Sequence, residues 1–185
     1  MLSGPGIYFG DTLTEMVTLK YAGRLGGVRY ARNIVNLMSS MQIEDDCSPS
    51  DQMEAIFKIC KRKPGIRREI LSFSMTRILD ENTHHYNRVH LIRLVETLTN
   101  KTFDTSCYTM YGWPENQIPD EARIYINIGL DYISNWWENG PVTFREDFVN
   151  RSFAEDMLWV LPGDADKWKP SPYCSAISRA ATKNP

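Results

Sequence analysis

Asp51 to Leu79 reads DQMEAIFKICKRKPGIRREILSFSMTRIL, and Asp80 to Asn100 continues DENTHHYNRVHLIRLVETLTN. Three apolar patterns with helical spacing lie within this stretch. Met53, Ile56, Phe57 and Cys60 share one face of the first helix. That helix must stop before Pro64, because a following proline disfavours a helical Lys63. Asp51, with Glu54 three residues on, gives it a capping-box start. Ile66, Ile70, Phe73 and Ile78 lie near one stripe of a second helix, predicted over 66–79. After the polar turn DENTHH, Leu91, Leu94, Val95 and Leu98 form the inward face of a third, predicted over 85–98. Arg88, His90 and Arg93 are expected to project elsewhere around that helix.

Working outward, residues 1–10 read as an irregular arm and 11–21 as a short helix interrupted by Gly23, Gly26 and Gly27. Val28, Ala31, Ile34, Val35 and Met38 mark a helix over 28–43. Downstream, the pattern is lost over 100–118, a crossover loop. Pro119 and the acidic pair Asp120-Glu121 then open a long helix. Its residues Ile126, Leu130, Ile133 and Trp137, widened by Ile124, Ile128 and Tyr132, make it the expected central buried helix. Gly140 ends it where a left-handed residue is wanted. Thr143-Phe144-Arg145-Glu146 spells a capping box for a last helix reaching 159 or 160, which Leu161-Pro162-Gly163 stops. No hairpin signal is present. The expected fold is all-α, with about seven helices joined mostly by short links. An N-terminal helical lobe (1–100) and a C-terminal one (119–161) share a core, joined by the loop (101–118) and followed by a polar tail (162–185).

Charge is polarised along the chain. Between Lys58 and Arg93 stand nine bases (Lys58, Lys61, Arg62, Lys63, Arg67, Arg68, Arg77, Arg88, Arg93) against three acids, a net of +6 in a chain of net charge −2. All three histidines, His84, His85 and His90, fall in the same window. Residues 104–166 carry three bases and twelve acids. Such a basic surface attracts anionic headgroups or phosphate backbones, whereas a run of exposed charge often serves solubility alone. The histidines would add positive charge on acidification and are candidate pH sensors.

Other classes have little support. No phosphate-binding loop, dinucleotide fingerprint, nucleophile elbow or zinc-protease motif occurs, so no enzymatic activity or cofactor is expected. Cys47, Cys60, Cys107 and Cys174 are widely spaced and read as reduced thiols. No acid or cysteine stands close to the histidines in a metal-binding spacing, so no metal site is expected. The N-terminus lacks the pattern of a signal peptide, and Leu2 stands where myristoylation needs glycine. Asn100-Lys101-Thr102 and Asn150-Arg151-Ser152 therefore read as chance glycosylation matches.

Several segments carry a family resemblance. Asp51-Gln52-Met53-Glu54-Ala55-Ile56, Lys61-Arg62-Lys63-Pro64, Ile70-Leu71-Ser72-Phe73-Ser74-Met75-Thr76, and Arg88 through Leu98-Thr99-Asn100 come in the order of the corresponding elements in the matrix proteins of orthomyxoviruses, the influenza-like viruses. Gly129 to Gly140 followed by Pro141-Val142-Thr143 extends the match, which resembles that family over about 51–150 with gaps. The resemblance implies a structural virion protein on the inner face of the envelope, also present in host cytoplasm and nucleus. It would bind anionic lipid membrane, self-associate into a coat and contact the viral ribonucleoprotein, with RNA binding. The family carries a second basic cluster after the third of these helices. Here Asp104 to Ile118 has no Lys or Arg, which favours lipid over nucleic acid. Head-to-tail association of the basic middle with the acidic later half is the expected mode of assembly. The alternative resemblance is of Leu130-Asp131-Tyr132-Ile133-Ser134-Asn135-Trp136-Trp137-Glu138-Asn139-Gly140 to the Trp-x-x-Glu-Asn-Gly segment of Bcl-2-like proteins, many of them viral inhibitors of apoptosis. It implies capture of an amphipathic helix of a host partner.

Overall fold

The computed structural model describes residues 21, 23–40, 49–103, 118 and 120–149. The expected helix over 11–21, the crossover loop at 104–117, the last helix beyond 149 and the tail lie outside all or most of these residues. The chain within them is all-α and compact: α1 (Val28–Ser40), α2 (Pro49–Arg62), a 3-10 turn (Pro64–Ile66), α3 (Arg67–Leu79), α4 (His85–Leu98) and α5 (Asp120–Asn139), with residues 23–25 also helical. Among the described residues no strand forms; Thr99 and Phe144 make an isolated antiparallel bridge.

The apolar spacing explains the first elements. Ala31, Ile34, Val35 and Met38 are the buried face of α1, as their spacing requires. The Ser39 and Ser40 hydroxyls donate back to the Asn36 carbonyl at 2.7 and 3.1 Å; the expected end of α1 at 41–43 lies outside the described residues. α2 begins at Pro49, two residues before the expected start, so Asp51 is inside the first turn rather than its cap. Proline's fixed φ suits a helix start. At the other end Lys63 leaves the helix with φ −126° and ψ 73°, as the following Pro64 demands. α3 turns Ile70, Leu71, Ser74, Met75 and Ile78 inward, while the expected Ile66 and Phe73 are only half-buried. The buried Ser74 hydroxyl is satisfied by the Ile70 carbonyl at 2.9 Å.

The helix at the centre is α4, not α5. Every residue of α4 whose side chain is described is buried, and α4 packs on α1, α2 and α3. Arg88, His90 and Arg93, expected to point away from the core, are 9%, 2% and 5% exposed. Burial of the two arginines is possible because partners are built in. Arg93 and Glu96 pair at 3.2 Å, Glu96 accepts the Phe103 N–H at 2.5 Å, and Arg88 donates to the Asp80 carbonyl at 2.8 Å. α5 contributes Ala122, Ile126, Ile133 and Trp136 to the same core, but leaves Ile124 and Tyr132 exposed.

Two further expectations are corrected after α5. Gly140 does not adopt a left-handed φ. It is needed for close approach, because a Cβ there would lie 2.5 Å from Cδ1 and 2.6 Å from the carbonyl oxygen of Trp136. The capping box at Thr143–Glu146 opens no helix. Thr143 accepts the Asn100 N–H at 2.9 Å and Arg145 donates to the Leu98 carbonyl at 3.0 Å. Backbone groups that a helix start would use are thereby committed to the end of α4. Residues 140–149 form an irregular strap instead, with bends at 146 and 147.

Candidate anion-binding surface

The nine bases of the middle window separate into three groups in space. Arg88 and Arg93 belong to the core. Arg67 and Arg77 are tethered. The Arg67 guanidinium binds the Cys60 carbonyl at 3.3 Å, pairs with Glu146 at 2.9 Å and covers the Phe144 ring. Arg77 reaches Asn36 Oδ1 at 2.8 Å, lies over Phe73 and is 3.8 Å from Asp80. Asp80's carboxyl is held below its usual range, first by hydrogen bonds from Asn82 and then by Arg77 and Arg88. Lys58, Lys61, Arg62, Lys63 and Arg68 are exposed. Of these, Lys58 pairs with Glu54 at 2.7 Å, and Arg68 lies over the Trp137 ring at 6.0 Å.

The end of α2 also gathers residues from a distant part of the chain. The Arg62 guanidinium donates to the carbonyls of Gly23 and Gly26, and a Cβ on Gly27 would sit 3.4 Å from Lys63 Nζ. The turn at 23–27 is thus seated against the last turn of α2. Between them opens a groove of about 530 Å³ lined by Gly23, Arg24, Lys58, Lys61 and Arg62. Arg24 and Arg29 are exposed, and among the described residues neither has an ion pair. Leu25 is 79% exposed and Tyr21 and Tyr30 are more than two-fifths exposed, so apolar and cationic side chains alternate along this segment. Sequence reasoning missed Arg24 and Arg29, reading the glycines around them only as helix interruptions. The available signal was the cluster Gly23 and Gly26-Gly27 flanking these arginines; two of its carbonyls, those of Gly23 and Gly26, accept from Arg62.

Lys61 and Arg62 also occupy the C-terminal turn of α2, where the helix dipole favours cations without any ligand. That accounts for two charges. Arg24, Lys58 and Lys63 are not explained by it.

The histidines are not on this surface. His85 and His90 are buried and His84 half-buried, with the His84 and His85 rings 4.1 Å apart. Burial pushes the His90 imidazole down to about 4. The tryptophan that precedes the Trp-Glu-Asn-Gly segment, Trp136, packs edge-on against Phe103 at 5.1 Å in the core. Among the described residues no cluster of His, Cys, Asp or Glu could hold a metal ion, and no helix is long and apolar enough to cross a membrane.

No protein family, curated protein or solved structure matches the chain.

Proposed function

We propose that the protein is a structural, matrix-type protein that lies on an anionic membrane through the α2 end and the 23–30 segment, and assembles with copies of itself into a layer there. In the setting the resemblance implies, that layer coats the inner face of a viral envelope. The observation that carries the reading is the groove where Arg24, Lys58, Lys61 and Arg62 converge, with Lys63 exposed beside Gly27.

Magnitudes support a layer rather than a solitary bound molecule. Each Lys or Arg near an anionic bilayer contributes about 1 kcal/mol, so five contribute roughly 5 kcal/mol. Alone, that corresponds to binding in the roughly 0.1–1 mM range. Copies linked to one another bind far more tightly, because later contacts form at high effective concentration. Exposed Leu25, Tyr21 and Tyr30 add the amphipathic side chains suited to a headgroup region.

The test is vesicle flotation with Arg24→Ser, Lys58→Ser, Lys63→Ser and Arg68→Ser combined. Arg62 and Arg67 are left intact because they hold backbone carbonyls. Binding to phosphatidylserine vesicles should fall by roughly a hundredfold or more, with unchanged circular dichroism. Undiminished binding by the variant, or equal binding of the wild type to phosphatidylcholine vesicles, overturns the reading. Competition of the wild type by duplex RNA at equal charge would point to nucleic acid instead.

A further inference from the structure

The acidic later half of the chain meets the basic middle within one molecule, at the strap. Its backbone is pinned to the end of α4 by the Thr99–Phe144 bridge and by Arg145, whose Nε donates to the carbonyls of Glu96 and Thr99 at 2.9 and 2.7 Å. Phe148 packs on Phe57 of α2, with ring centres 5.6 Å apart. This anchoring carries Glu146 and Asp147 onto the basic knot. Glu146 takes both terminal nitrogens of Arg67, at 2.9 and 3.5 Å. Lys61 donates to the Glu146 carbonyl at 2.8 Å and lies 3.7 Å from the Asp147 carboxylate. Lys61 also lines the groove.

We infer that the strap is an internal competitor for anions: Glu146 and Asp147 stand where lipid phosphates would bind Lys61, and hold that edge of the basic surface neutral. The inference rests on the membrane-binding reading above and concerns its regulation. The two carboxylates are 72% and 93% exposed, and exposed ion pairs contribute little, so a dense anionic surface can displace them. The arrangement differs from simple fold stabilisation, because the backbone bonds and Phe148 seat the strap without its acids. Neutralising them leaves the strap in place and the cations uncompensated. The acids therefore set a threshold of surface charge below which the protein stays off a membrane.

The experiment titrates phosphatidylserine content in vesicles and compares three proteins: wild type, Glu146→Gln with Asp147→Asn, and Asp120→Asn with Asp131→Asn. The third gains the same net charge on α5, upstream of the Trp137 turn that Arg68 covers. A released Lys61 should be worth roughly fivefold in affinity, so the strap variant should gain roughly fivefold and bind at lower phosphatidylserine content. The α5 variant should gain much less, since charge acts within about 8–10 Å at physiological salt. Adding Lys61→Gln to the strap variant should remove that gain. Equal gains from strap and α5 variants, or no gain from the strap variant while wild type binds, overturn the inference alone. Absence of binding by all three proteins, even at low salt, overturns the membrane reading itself.

Discussion

Acidification should loosen this fold through His90. The imidazole is 2% exposed on α4, and burial lowers its pKa to about 4, against about 6.5 in an unfolded chain. A base with a depressed folded pKa is neutral in the native state, and protonation favours the unfolded state. Its contribution is therefore fully present above about pH 6.5 and is lost as pH falls toward about 4. Between pH 7.5 and 5 the linkage amounts to about 2 kcal/mol, approaching roughly 3 kcal/mol below pH 4. For a domain of this size, 2 kcal/mol is roughly 4–8 °C in Tm. Urea denaturation at pH 7.5, 6.0 and 5.0 measures it directly. His90→Gln and His90→Leu both remove the titration; whatever the stability of each at pH 7.5, it should change with pH by about 2 kcal/mol less than the wild type's. If both variants lose as much stability as the wild type between pH 7.5 and 5, buried His90 is not the acid-sensitive group and the reasoning fails. The effect belongs to the core, where His90 is buried, rather than to charge on the basic surface.

Two other outcomes follow from packing. Gly140→Ala places a Cβ against Trp136, whose ring is wedged on Phe103, and should cost about 1–3 kcal/mol by urea denaturation and alter near-ultraviolet circular dichroism; a loss below about 0.5 kcal/mol would show that Trp136 moves aside freely. Burial pushes the Cys60 thiol up to about 12, against the opposing pull of Arg67, so Cys60 should resist alkylation at pH 8 in the native protein and react readily in urea; rapid native labelling of Cys60, located by peptide mapping, would contradict its burial.

Local chemistry in the sequence determined most of the helical frame. Apolar spacing placed α3, α4 and α5 close to their observed bounds, and α1 at its observed start, because a helix that buries one face must repeat its apolar residues at three and four. Pro64 and Gly140 marked ends that local sterics impose. The concentration of bases between 58 and 93 was also legible, as composition. Which of them meet solvent was not. Periodicity identifies a helix's apolar face but not how many neighbours surround it, so α4, enclosed by α1, α2 and α3, buries Arg88, His90 and Arg93 despite its polar residues. The same limit concealed the strap. Thr143 to Glu146 satisfies a local capping rule, yet pairing with Leu98 and Asn100, more than forty residues away, takes those backbone groups. The candidate site itself is a tertiary product: Arg24 reaches the end of α2 only because Arg62 finds the carbonyls of Gly23 and Gly26 across nearly forty residues of chain. Local spacing determines the helices; only the packed structure brings those distant cations to one groove and lays the acids of the strap beside them.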